Sequence, residues 1–122
     1  MAYPNLNEFS WYLTALLIFS SLSFIIFGLS SLFAPYMVTE FERYGLKKFR
    51  VSNGYLQLLG AIGLGLAFYF RTVGLAASAG LAILMVLGFI VRLRIKDGFV
   101  KSFPAFFYAV LNAFIYFLLL KT

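Results

Sequence analysis

The sequence contains no cysteine and no histidine, and it has only four carboxylate side chains. Without cysteine the chain forms no disulfide bond and carries out no thiol chemistry. The same two absences remove the usual ligands of haem, zinc and iron–sulfur clusters, and they exclude nucleophilic catalysis by a Ser–His pair. We therefore expect no metal site and no cofactor.

The four carboxylates do not supply a catalytic acid pair. They are Glu8, Glu40, Glu42 and Asp97. Residues two apart on a helix point in different directions, so Glu40 and Glu42 do not face each other. The glycine-containing segment Gly60–Gly65 matches no nucleotide-binding fingerprint. We expect this chain not to be an enzyme.

Charged residues make up only 11% of the chain and hydrophobic residues make up 63%. In a soluble domain about 25% of the residues are charged. Four uncharged apolar stretches cause this bias: Phe9–Phe33, Val51–Phe70, Gly74–Val91 and Pro104–Leu120. Each has roughly 17–25 residues, enough for a helix to cross a hydrocarbon core of about 30 Å, and spans in lipid must be helical. The sequence predicts an all-α membrane protein, with residues 1–122 forming a single domain and a bundle of four transmembrane helices in the lipid bilayer.

The connection between the first two stretches, residues 34–50, has a helical pattern of its own. Spacings of three and four place Met37, Phe41 and Tyr44 on one face. Pro35 suits a helix start and Gly45 suits its C-terminal break. We predict an interfacial amphipathic helix here, lying in the membrane interface or tucked back against the bundle.

The ten basic residues are distributed unevenly. Only Arg71 and Lys121 lie on one side of the predicted bundle; the other eight lie in two connections and are Arg43, Lys47, Lys48, Arg50, Arg92, Arg94, Lys96 and Lys101. The positive-inside rule places both connections in the cytoplasm and both termini outside. Because the net charge of +6 comes from helix ends rather than from one soluble face, we expect no nucleic-acid partner. Arg92, Arg94 and Lys96 either set this topology or pair with anionic lipid head groups.

Small residues cluster in the second and third stretches. Ala61 and Gly65 form one small-xxx-small pattern, and Ala76 and Gly80 form another. Such patterns let helix backbones approach closely. We group Gly60, Ala61, Gly63, Gly65, Ala76 and Gly80 as helix-packing residues. They either pack the bundle internally or present a groove to a second copy or a partner.

Two amides, Gln57 and Asn112, fall inside predicted spans. An amide facing lipid is costly, so each should have a partner within the bundle. One interpretation is an interhelical hydrogen bond worth about 0.6–2 kcal/mol. The other is a contact with a quinone head group, a lipid or a partner helix.

Two motifs resemble the DoxX-like family of small four-helix membrane proteins. The first runs from Glu40 to Val51 and continues through Gly54–Gly60; the second contains Arg92–Asp97, Ser102–Ala105 and Leu111-Asn112. The resemblance implies a four-helix bundle and, for various members, association with quinone-linked oxidation complexes, oxidative-stress complexes or membrane-protein assembly. Members typically carry Glu at the position of Gln57, so this chain lacks that membrane-embedded acid.

Two functional hypotheses follow. The first is a non-catalytic accessory or assembly subunit that binds another integral membrane protein, in the cytoplasmic (inner) membrane of a bacterium. The second is a quinone- or lipid-binding membrane subunit of an oxidoreductase complex, in which Gln57, Asn112, Tyr55 and Arg43 line a head-group site.

Overall fold

The computed structural model describes residues 11–121, and every long element in this range is a helix. The helices are α1 (Trp11–Phe33), α2 (Pro35–Tyr44), α3 (Arg50–Leu66), α4 (Arg71–Arg94) and α5 (Gly98–Lys121). A single 3₁₀ turn, Lys47–Phe49, leads into α3. The all-α prediction is confirmed for these residues; Phe9 and Ser10, where the first span was expected to begin, lie outside them.

Three helices, α1, α4 and α5, are long and apolar enough to cross a membrane. Helix α3 has 17 residues. Many large apolar side chains point outward, and those of Ile26, Leu59, Ile83 and Val110 are all more than half exposed. A soluble protein rarely exposes so continuous an apolar surface, which agrees with a lipid environment.

The four longer helices pack around a buried apolar cluster that includes Leu17, Phe24, Leu64, Ile115 and Leu119. Helices α3 and α4 run antiparallel, as do α4 and α5, because their connections are short. Helices α1 and α3 run antiparallel because α2 lies between them in the chain and turns it back. The register is fixed by contacts of Gly28 with Leu58 (α1–α3), Gly63 with Ala77 (α3–α4), Phe89 with Phe106 (α4–α5) and Ser20 with Asn112 (α1–α5).

Helix α5 begins at Gly98, six residues before the predicted start at Pro104. Proline lacks the backbone N–H that would bond to the carbonyl four residues earlier. Pro104 therefore forfeits one hydrogen bond near the beginning of α5 without ending the helix. As a result the α4–α5 connection shrinks to Ile95–Asp97, where Lys96 has a φ of 59°.

The α3–α4 turn also lies earlier than expected. Helix α3 ends at Leu66 and α4 begins at Arg71, whereas the hydrophobicity pattern extended one span to Phe70 and started the next at Gly74. The N–H groups of Tyr69 and Phe70 both donate to the carbonyl of Leu66. These bonds close the turn and leave Gly74 inside α4, where it contacts α3.

Candidate ligand cavity beneath α2

Helix α2 has the boundaries that its sequence predicts. Pro35 occupies the first turn, and Gly45 ends the helix in the left-handed conformation with a φ of 77°. Of the two placements considered, the structure shows α2 packed against α1 and α3, with Phe41 and Tyr44 buried. The helix therefore covers one end of the helix assembly.

An ion cluster joins α2 to the α4–α5 connection; it consists of Glu40, Arg43, Tyr44, Arg92 and Asp97. Arg43 donates from Nη1 to Asp97 at 2.5 Å and from Nη2 to Glu40. Arg92 donates from Nη1 to the other oxygen of Asp97 at 2.9 Å. The guanidinium carbons of Arg43 and Arg92 lie 5.5 and 5.3 Å from the centre of the Tyr44 ring, within cation–π range.

The cluster changes the protonation of its members in a consistent way. Hydrogen bonds from Arg43 lower the pKa of Asp97 and of Glu40 below their usual values. The same carboxylates raise the pKa of Arg43. Burial raises the pKa of the Tyr44 phenol to about 12. All four side chains therefore keep their ordinary neutral-pH states, and the ion pairs that hold α2 are formed at that pH.

Beneath α2 lies a cavity of about 700 Å³, within the usual range of roughly 300–1,000 Å³ for small-molecule sites. Its walls are mainly apolar and come from α1 through α5. Its cationic lining residues are Arg43, Arg92 and Lys101, with Glu40 beside them. The cavity thus combines apolar walls with a charged rim, which is the arrangement that an amphiphilic ligand requires.

Of the two amides predicted to lie inside spans, Gln57 lines this cavity. Gln57 is 4% exposed, and its Oε1 has no hydrogen-bond partner among the described residues. Leaving such an atom unpaired costs about 1–3 kcal/mol. A 180° flip of an amide exchanges its oxygen and its nitrogen. The Gln57 side chain can therefore either accept or donate a hydrogen bond within the cavity.

Asn112 has a different environment. It is fully buried between α5 and α1, where its Oδ1 accepts a 2.9 Å hydrogen bond from Ser20 Oγ. Its Nδ2 donates to the carbonyl of Tyr108 at 2.8 Å. These contacts correspond to the interhelical hydrogen bond that was one of the two interpretations of this amide, and Asn112 does not line the cavity.

The remaining site candidates separate in the same way. Arg43 lines the cavity, whereas Tyr55 is 57% exposed on α3 and does not. The structure therefore brings Gln57 and Arg43 to one site and leaves Tyr55 and Asn112 outside it. Sequence reasoning treated Asp97 only as a surface carboxylate, and no local pattern indicates that it pairs with Arg43, 54 residues away.

The small residues form a close α3–α4 contact, defined here by Gly60 on Leu81, Gly63 on Ala77 and Gly74 on Ala67. A Cβ added to Gly63 would lie 2.6 Å from the Ala77 Cβ. Ala61 is fully buried, and Ala76 is exposed along a groove between the two helices. Gly65 and Gly80, by contrast, have open space beside them. Gly74, near the start of α4, and Ala67, at the end of α3, complete this contact.

Comparison with known proteins adds one finding. The profile of the DoxX-like family matches residues 12–114, which is most of the chain. No curated protein and no solved structure gave a significant match. With three helices long and apolar enough to span a bilayer, the chain is an integral membrane protein, and it belongs to the DoxX-like family.

Proposed function

We propose that this chain is a non-catalytic membrane protein that binds one amphiphilic molecule, a lipid or a quinone, in the cavity beneath α2. The observation that carries this proposal is the unpartnered Oε1 of Gln57 in a cavity of about 700 Å³. Buried polar atoms in native proteins nearly always have a partner, so an unpaired one that lines a cavity is explained by a ligand or an ordered water.

The shape of the site supports the same function. Leu56, Leu84 and Met85 supply apolar wall, and the charged side chains lie on α2 and at the ends of α4 and α5. An amphiphile can place its apolar part along the wall and its polar part at the charged rim. Catalysis is not part of the proposal: the described residues contain no cluster of His, Cys, Asp or Glu that could hold a metal ion, and the carboxylates Glu40 and Asp97 are engaged with arginine.

Ligand retention tests this function. The full chain would be purified from its native membrane in mild detergent, and its retained lipids and quinones would be quantified per mole of protein. We expect about one molecule per chain, and Gln57→Leu should reduce retention roughly tenfold, the effect of one lost hydrogen bond. Tyr55→Phe is the matched control, since Tyr55 lies on the same helix outside the cavity. Equal retention by Gln57→Leu and the unaltered protein would contradict the proposal.

A second proposed function is that of an accessory or assembly subunit for another integral membrane protein. It is supported by an apolar groove of about 480 Å³ along α3 and α4, which includes Leu59, Val73, Ala76 and Gly80. A partner helix could approach closely there because Gly80 has nothing beside it. Gly80→Leu should then abolish co-purification of a stoichiometric membrane partner. Ala113→Leu, a change at an exposed small residue of α5, should leave it intact; loss in both or in neither would count against this groove.

We further propose that α3 is a fourth span, with both termini outside the cytoplasmic (inner) membrane of a bacterium. Support comes from the eight basic residues at one end of the helices against two at the other. A C-terminal alkaline phosphatase fusion should be active, and a fusion after Lys48 should be inactive. The reverse pattern would place the ion cluster outside.

A further inference from the structure

Lys101 differs from the other cations at the rim of the cavity. It lines the cavity at the start of α5 and has an exposed side chain. Within residues 11–121 the ion pairs are Arg43 with Glu40, Arg43 with Asp97, and Arg92 with Asp97. Lys101 thus has no carboxylate within ion-pair distance in the described part of the chain.

The charges around the rim therefore do not balance. Arg43 and Arg92 are matched by Glu40 and Asp97, and Lys101 leaves one positive charge over. Arg92 uses Nη1 to bond Asp97, and a guanidinium has five N–H donors. Asp97 thereby holds Arg92 in place at the rim while leaving it donors that can meet a second anion.

We propose that the occupant of the cavity is an anionic glycerophospholipid, whose phosphodiester lies between Lys101 and Arg92 and whose acyl chains run along the apolar wall. This inference rests on the proposed ligand-binding function and names its ligand class. A phosphodiester with one negative charge matches the single excess positive charge. A zwitterionic lipid would bring its own cation toward Lys101 and Arg92, and a neutral quinone has no charge to pair with them.

The depth of Gln57 fits the same ligand. Gln57 lies seven residues after the first residue of α3, roughly 10 Å along the helix axis. Arg92 and Lys101, in contrast, lie near the α4–α5 connection, at the end of the assembly that α2 covers. In a lipid the ester groups lie below the phosphate, so the Gln57 amide is placed to meet an ester oxygen while the rim binds the phosphate.

Competition between two lipids provides the test. Delipidated full-length protein would be incubated with equal amounts of dioleoylphosphatidylglycerol and dioleoylphosphatidylcholine, and bound lipid would be counted by native mass spectrometry. We expect a preference for phosphatidylglycerol of about fivefold or more, since one Lys or Arg near an anionic head group has an effect of that order. Lys101→Gln should bring the ratio close to one, and Lys101→Arg should restore it.

Lys48→Gln is the matched control. It removes the same charge from the same end of the assembly, but Lys48 does not line the cavity. A preference that falls equally in Lys48→Gln and Lys101→Gln would overturn the inference, because it would show attraction to net charge alone. Equal binding of the two lipids by the unaltered protein, or retention of a quinone in place of both, would also overturn it.

Failure of this inference is distinguishable from failure of the proposed function. If the ligand is neutral or zwitterionic, Gln57→Leu still reduces retention while Lys101→Gln does not. If the cavity holds no ligand, neither substitution changes retention, and both proposals fail together.

Discussion

At the α3–α4 contact a Cβ added to Gly63 would lie 2.6 Å from the Ala77 Cβ, whereas beneath α2 the helices leave a cavity of about 700 Å³. Two amides show a parallel difference. Asn112, between α1 and α5, has both ends hydrogen-bonded, and Gln57, at the cavity, has an unpartnered oxygen. Dense packing with satisfied polar groups stabilises a helix assembly, while a cavity with an unpartnered buried polar group is typical of a ligand site. We therefore expect substitutions at the contact to change stability and substitutions at the cavity to change ligand binding.

The largest expected effect concerns the densely packed region. Gly74→Ala would place a methyl group against the Cβ of Ala67 and 3.1 Å from its backbone Cα, so the helices must separate. Overpacking of this kind costs about 1–3 kcal/mol. The free energy of unfolding, measured in detergent, should fall by that order. Gly80→Ala is the control: with open space beside it, replacing a helical glycine should leave stability unchanged or raise it by about 0.5–1 kcal/mol. Equal effects at both positions would contradict this picture of the contact.

Only part of this arrangement can be read from the sequence. Apolar runs of sufficient length predict α1, α4 and α5 because a segment that crosses lipid as a single span must be helical. Pro35 and Gly45 mark the two ends of α2. Which small residues touch depends on the register of two helices. In the structure the turn lies at residues 67–70 rather than at 71–73, and Gly74 is in contact while Gly80 is not.

The candidate site was predictable to a similar extent. Gln57 stands out because a polar side chain inside a span is rare in lipid, and Arg43 is one of the basic residues in the connection that precedes its helix. The pairing of Arg43 with Asp97 joins residues 54 apart, and no local spacing rule reports a contact of that kind. The sequence predicts only a role in topology for Lys101, because its position at the cavity depends on α5 starting at Gly98 rather than at Pro104.

A smaller loss is expected when the hydrogen bond at Asn112 is removed. Asn112→Leu leaves the buried hydroxyl of Ser20 without its acceptor. Interhelical hydrogen bonds in membranes are worth about 0.6–1.7 kcal/mol, and the free energy of unfolding should fall by that amount. Ser78→Ala is a suitable control, because the Ser78 hydroxyl donates to a carbonyl of its own helix and joins no two helices. An unchanged stability in Asn112→Leu would show that the bond does not hold α1 to α5.

At the cavity, replacing an amide by leucine should have the opposite effect on the free energy of unfolding. Gln57→Leu removes an unpaired buried oxygen, so the free energy of unfolding of the delipidated protein should rise, by about 1 kcal/mol. The measurement requires ligand-free protein, since a bound ligand stabilises the folded state and would conceal the gain. A decrease in stability, as at Asn112, would mean that the Gln57 amide has a structural partner and that the contrast between the two amides is false.

The smallest effect is local to α2 and depends on pH. Because the pKa of Asp97 and of Glu40 is lowered in the folded state, their contribution is complete above the ordinary carboxyl values of about 4. It is lost as the pH falls through the lowered values, and the cationic Arg43 and the neutral Tyr44 keep their protonation over that range.

Asp97→Asn should reproduce at neutral pH the part of the acid effect that comes from Asp97. It removes the carboxylate that joins Arg43 on α2 to Arg92 on α4. Hydrogen–deuterium exchange of residues 35–45 should accelerate in Asp97→Asn at pH 7, while exchange in the α3–α4 contact stays unchanged. Glu42→Gln is the control, since Glu42 is exposed and forms no ion pair within the described residues. If exchange rose in both regions together, α2 and the α3–α4 contact would belong to one cooperative unit. Exchange confined to α2 would instead mean that the cover of the cavity opens while the densely packed region holds, which is the property that a membrane ligand needs in order to enter.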